Sequence, residues 1–159
     1  MSAGAHALRA YAPEDFAAVG AFWVEAWAPV YPEIDFSARL PWLRDHLAEL
    51  AARGVDVVVA LDARGAPCGL LTIDHRDGHL DQLCVAAGEQ GGGLAAALLD
   101  EAKARAPGVV TLAVNDRNAR AVRFYLREGF LKVGTGVSAA GNPTTAMRWA
   151  GASGRRPHL

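Results

Sequence analysis

Leu80-Asp81-Gln82-Leu83-Cys84-Val85, followed by Gln90-Gly91-Gly92-Gly93-Leu94-Ala95, is the stretch that decides how this chain folds. The first run is apolar and strand-like, and the second opens a helical pattern that continues from Leu94 to Ala106. Three glycines sit at the junction. A glycine-rich turn between a strand and a helix leaves several N–H groups unpaired at the positive end of the helix dipole, with no side chains blocking approach. That is the local chemistry of a phosphate site. It is not a Walker loop, since no Gly-Lys-Ser/Thr follows, and the antiparallel strands leading into it do not suit a dinucleotide fingerprint. In a chain with 17 glycines, a plain tight turn accounts for the run as well as a ligand does.

Outward from this stretch, the strand His79 to Val85 is preceded by the turn Arg76-Asp77-Gly78. Before it, Val55 to Leu61 and Cys68 to His75 form a hairpin across Asp62 to Pro67, so three antiparallel strands deliver the glycine loop. His6 to Tyr11 reads as a short strand. Pro13-Glu14-Asp15 starts a helix bearing Phe16, Val19, Phe22, Trp23 and Trp27, which ends near Pro29. Ser37 as N-cap and Leu40, Leu43, Leu47 and Leu50 predict a second helix, stopped at Gly54. On the other side, Val109 to Val114 follows a helical crossover and should run parallel to the strand before that helix. A helix from Asn118 to Glu128 and a hairpin of Phe130 to Val137 with Thr144 to Trp149 complete the pattern.

Length and composition set the class. With 159 residues, 52% of them hydrophobic, one well-cored domain over residues 1–150 is expected, with a disordered polar tail at 151–159. Sixteen basic residues against seventeen acidic ones give a net charge of −1, so no overall field gathers nucleic acid or an anionic membrane. No run approaches the roughly 20 apolar residues of a membrane span. His6 and Arg9 interrupt the apolar start that a signal peptide needs, so a cytoplasmic protein is expected, as monomer or homodimer. Cys68 and Cys84 lie in strand-like runs away from metal-ligand spacing. They read as reduced, buried thiols, with a cross-strand disulfide as the alternative, and no metal is expected.

Gln90-Gly91-Gly92-Gly93-Leu94-Ala95 fits Gln/Arg-x-x-Gly-x-Gly/Ala at every specified position. Further on, Asn118-x-x-Ala121-x-x-Phe124-Tyr125 is followed by Gly129-Phe130. In these two blocks, and in the order of elements over residues 6–149, the chain resembles the GNAT superfamily of acetyl-CoA-dependent N-acetyltransferases. The resemblance implies an α/β fold: a mixed, mostly antiparallel sheet of about seven strands, flanked by helices and splayed between strands four and five.

It also implies roles for individual residues. The backbone N–H groups of Gly91, Gly93, Leu94 and Ala95 would meet the diphosphate of acetyl-CoA, Gly92 would permit the close approach, and Gln90 would add a side-chain hydrogen bond. The pantetheine arm would pair with the backbone at Leu83 and Val85 and pass Ala87, where many members carry proline. Asn118 would contact the arm, and Arg120 would reach the phosphates. Tyr125 would protonate the leaving thiolate; on its own residue pattern it is a core aromatic. Asp81 and His79 alternate onto one face of their strand and are the candidates for a general base, directly or through water, although solvated strand-edge side chains would look the same.

In such proteins the first two helices frame the acceptor. Trp27, Tyr31 and Asp81, with Trp23, Glu33 and Asp35 nearby, would hold a cationic amine by ring faces and carboxylates. The i,i+4 spacing of Trp23 and Trp27 fits a buried helix face equally well. The implied reaction is direct acetyl transfer to a primary amine of a small molecule or peptide, with the oxyanion met by N–H groups near Val85. Two rivals remain: a regulatory module that binds acyl-CoA without transferring it, and transfer of another acyl group or to another acceptor.

Overall fold

The apolar run 57–61 has no polar face because its strand is covered on both sides. The computed structural model describes residues 6–151. Its elements are β1 (Ala7–Ala10), α1 (Phe16–Trp27), α2 (Leu40–Ala52), β2 (Asp56–Leu61), β3 (Pro67–Ile73), β4 (Leu80–Val85), α3 (Leu94–Arg105), β5 (Val109–Asn115), α4 (Ala119–Arg127), β6 (Leu131–Val137) and β7 (Pro143–Ala150). Within β2, Val57 and Val59 pack with Val19, Phe22, Leu43 and Leu47 of α1 and α2. The alternate residues Val58 and Ala60 pack with Leu94, Leu98 and Leu99 of α3 on the opposite face. Beyond Gly151, the expected tail lies outside the described residues.

The seven strands form two sheets rather than one. The first is antiparallel in the order β1-β2-β3-β4, and the second is antiparallel in the order β5-β7-β6. They meet at one isolated parallel bridge, His79 to Thr111, where Thr111 N–H donates to Gly78 O at 2.9 Å. The parallel course expected for β5 is therefore realised at its root only, and the strands separate beyond it. Gly78 makes the contact possible. Its φ is +83°, and a Cβ there would stand 1.9 Å from the Val109 carbonyl oxygen.

A β-bulge shapes β4. Leu71 pairs with Leu83 but Ile73 with Leu80, so two steps along β3 oppose three along β4. The extra residue lies at Asp81–Gln82, and the Thr72 hydroxyl accepts the displaced Gln82 N–H at 2.9 Å. Bulges raise the local twist and re-aim side chains. The simple alternation that put His79 and Asp81 on one face does not survive it.

The helix starts differ from expectation in detail. A 3-10 turn over Pro13–Asp15 precedes α1, and the Asp15 carboxylate accepts from Ala12 N–H (2.8 Å) and from both terminal nitrogens of Arg9 (2.8 and 2.9 Å). Arg9 holds that carboxyl below the ordinary aspartate range. Before α2, Asp35 rather than Ser37 supplies the cap: its side chain accepts the Ser37 N–H at 3.1 Å and opens a 3-10 turn over Phe36–Arg39. No helix among the described residues is long and apolar enough to cross a membrane.

Candidate active site

Where β4 and β5 part, backbone groups of β4 lose their neighbour. Ala86 N–H donates to Cys68 O at 2.9 Å. By the two-residue alternation of an antiparallel ladder, Cys84 also faces β3, and the N–H and C=O groups of Leu83 and Val85 point into the gap. Two cavities open from this wedge, of about 720 and 900 Å³. Trp27, Leu83, Asn118, Ala121 and Tyr125 line both, so they are halves of one passage with Tyr125 at its waist.

The larger half lies over the glycine loop. Gly91 and Gly93 hold φ of +82° and +90°, and Gly93 stands at the N-cap of α3. A Cβ at either would meet nothing within 4 Å, so the loop presents bare backbone to the cavity. Among the described residues, the N–H groups of Gly91, Gly93, Leu94 and Ala95 have no backbone acceptor, whereas Gly92 N–H donates to Glu89 O at 3.2 Å. Arg117, Arg120, Arg123 and Arg127 line this half against Glu89 and Glu128. Arg120 donates to the Gln90 side-chain oxygen at 2.9 Å, joining two residues singled out from sequence. Orphan N–H groups at a helix N-terminus beside an excess of guanidinium groups suit the diphosphate and phosphate of coenzyme A.

Not every expected loop contact lines the passage. Ala87 is exposed in the 3-10 turn Ala87–Glu89, with its carbonyl taken by Gln90 N–H at 3.2 Å. The Leu94 side chain is core, 1% exposed, which leaves only its backbone for a ligand. Asn118 caps α4 by accepting the Ala121 N–H at 3.2 Å, and its amide NH2 has no protein partner among the described residues.

Tyr125 is 8% exposed and packs edge-on against Phe124 and Phe130, with centroids at 5.2 and 5.4 Å. Its hydroxyl has no protein partner among the described residues, and burial, with a smaller contribution from nearby Cys84, raises the phenol above its ordinary pKa. It therefore keeps its proton at neutral pH and is available as an acid rather than as a base. Burial also pushes the Cys84 thiol up to about 12, so this cysteine on the passage wall is a protonated, poor nucleophile. Both cysteines are free and buried, as expected.

The smaller half is walled by Trp23, Trp27, Tyr31, Phe36 and Trp42. Trp27 stacks with Tyr31 and Phe36 at 6.3 and 6.1 Å, and Trp23 meets Phe36 edge-on at 5.6 Å. Asp81 lines this half and pairs with His46 Nε2 of α2 at 2.6 Å. The His46 ring stacks on Trp42 with centroids 4.6 Å apart. Sequence reading missed His46; its only local signal is a histidine four residues after an aromatic on a leucine-faced helix. His79 is exposed, bonds the Thr111 hydroxyl at 3.2 Å and lies outside both cavities.

Two acids of the expected acceptor set have other partners. Glu33 takes a bidentate pair from Arg117 at 2.5 and 2.7 Å, which holds its carboxyl below the usual range, and Asp35 is the cap before α2. The Arg117 guanidinium also lies 4.5 Å above the Tyr31 ring. Arg117 thereby ties the start of α4 to the loop after α1.

The family model described as Acetyltransferase (GNAT) domain matches residues 43–150. Comparison with curated protein sequences found no match. Among solved structures, a GNAT superfamily phosphinothricin acetyltransferase from Sinorhizobium meliloti in complex with AcCoA superposes with TM-score 0.68 at 18% identity, covering 94% of this chain and 90% of that one. A histone acetyltransferase and related acetyltransferase from Corynebacterium glutamicum gives 0.66 at 24% identity over 96% and 98% of the two chains. A ribosomal-protein-alanine N-acetyltransferase from Brucella melitensis gives 0.62 at 22% identity over 91% and 99%. With the family match running from α2 to the end of β7, over a passage whose loop suits coenzyme A, this chain belongs to the GNAT acetyltransferases and is an acyltransferase that uses acetyl-CoA.

Proposed function

We propose that the enzyme transfers the acetyl group directly to a primary amine carried by a cationic small molecule or a peptide. The observation that carries this reading is the passage itself: a glycine loop and arginines at one end, an aromatic chamber with a single lining carboxylate at the other, and Tyr125 between them. Aromatic faces and a carboxylate favour an ammonium group. Acetyl-CoA supplies the activated acyl group when bound. Gln90, the glycine-loop N–H groups, Arg120 and Asn118 hold it, and the free backbone edge of Leu83 and Val85 aligns its arm.

An ammonium must lose a proton before it can attack. Asp81 receives that proton, directly or through water, and His46, with 20% of its side chain exposed, passes it to solvent. Tyr125 returns a proton to the departing sulfur. The protonated Cys84 thiol favours this direct route over one through an acyl-cysteine. Two free buried thiols fit a cytoplasmic setting.

The test is a turnover screen of acetyl-CoA against polyamines, amino acids, aminoglycosides and peptides, with free thiol and product mass as readouts. Acetylated amine is the expected product. Thermal stabilisation by acetyl-CoA with no thiol release across the panel would instead support a binding module. On an active acceptor, Asp81→Asn should lower kcat roughly 100-fold. His46→Gln should also lower kcat, but less; an unchanged kcat would remove His46 from the proton path.

A further inference from the structure

Cys68 lies in β3 and is 4% exposed, yet its sulfur is not surrounded by apolar groups alone. Its Sγ, the ring nitrogen of His6 and a carboxylate oxygen of Glu89 all lie within 4.8 Å of one another. Three separate elements bring them together: the residue before β1, the strand β3, and the 3-10 turn that leads into the glycine loop. His6 Nε2 and Glu89 Oε1 are 3.0 Å apart, with side chains 16% and 26% exposed. A histidine–glutamate ion pair has no need of a buried thiol beside it.

We propose that His6, Cys68 and Glu89 bind one zinc-type divalent ion at the foot of the glycine loop. Imidazole nitrogen, thiolate sulfur and carboxylate oxygen are the three donor types that zinc takes, and three protein donors leave a fourth tetrahedral position for water. The sulfur argues against calcium or magnesium, which choose oxygen, and the carboxylate argues against copper(I). Tetrahedral bonding sets the donors roughly 3.5 Å apart, so the cluster closes with side-chain movements of about an ångström. The ion displaces the thiol proton of Cys68 to solvent and takes the neutral imidazole through Nε2.

The site would act on the loop beside it. The Glu89 carbonyl accepts the Gly92 N–H, its own N–H donates to Ala86 O at 2.9 Å, and its residue lines the cavity over the glycine loop. An ion held by its carboxylate tethers this turn to β1 and β3. It also cancels the negative charge that Glu89 turns toward the loop, because the two positive charges of the ion balance one thiolate and one carboxylate, and this lowers the repulsion of a polyanionic ligand. That last consequence rests on the reading of the loop; metal binding itself does not.

The test is a cobalt(II) titration of the untagged full chain, followed by displacement with zinc(II). A thiolate-to-cobalt charge-transfer band should rise to saturation at one equivalent and disappear with zinc. Cys68→Ser should abolish the band while Cys84→Ser keeps it. His6→Ala and Glu89→Gln should each weaken zinc binding more than about tenfold, while metal-free melting temperatures stay unchanged to show intact folding. No band in the wild type with excess cobalt, a band that survives Cys68→Ser, or unaltered zinc affinity in the other two variants would overturn the site.

Discussion

Tyr125→Phe is expected to lower kcat about 100-fold or more while leaving acetyl-CoA affinity within about twofold. The substitution removes one oxygen and keeps the ring, so the edge-on contacts with Phe124 and Phe130 that fix α4 at the waist survive. The lost oxygen has no protein partner among the described residues, so no buried protein group is orphaned by its removal. Its loss therefore falls on the transition state, and a 100-fold change corresponds to about 2.7 kcal/mol. Steady-state kinetics with a separate acetyl-CoA titration distinguish the two effects; an unchanged kcat would reject Tyr125 as the acid. Burial adds a pH prediction with a definite sign. Because it raises the phenol pKa, the proton stays in place through the alkaline side of an ordinary assay, and any alkaline loss of rate must come from another group.

Gly93→Val is expected to weaken acetyl-CoA binding at least about tenfold, or about 1.4 kcal/mol, with little effect on kcat at saturation. The cause is conformational rather than steric. Nothing lies within 4 Å of a Cβ at this position, but φ of +90° is one that a β-branched residue rarely adopts. The backbone would rotate out of that region and carry the Gly93 and Leu94 N–H groups away from their common direction. Gly88 supplies the control, since a Cβ there also meets open space and its φ is not positive. Gly88→Ala should bind acetyl-CoA normally. Normal affinity in Gly93→Val, measured by calorimetry, would remove the loop from the binding account.

The strands and helices were legible because their signals are local. Val57 to Leu61 is apolar without interruption because two layers cover it, and glycines at 54 and 129 mark helix ends. What stayed hidden depends on partners distant in the chain. The bulge at Asp81–Gln82 rests on the Thr72 hydroxyl of the neighbouring strand, and no apolar pattern marks an inserted residue. His46 gains its place only when α2 folds over β4, across 35 positions of sequence, and Arg117 meets Glu33 across 84. The same limit explains His79. A period of two put it beside Asp81, but the bulge and the bridge to Thr111 anchor it at the root of the split instead. The split into two sheets was visible only through the family resemblance, because a strand's sequence does not record which of its edges remains unpaired.

That unpaired edge has a thermodynamic consequence. Along the wedge beyond Thr111, the chain leaves its own sheet unfinished, and a molecule that supplies the missing rungs completes the fold as well as entering the reaction. Folding and occupancy are then linked: stability rises by about 2.7 kcal/mol when the free ligand stands at 100 times its Kd. The lifetime of the folded protein would follow the supply of its acyl donor, making resistance to unfolding a gauge of that supply.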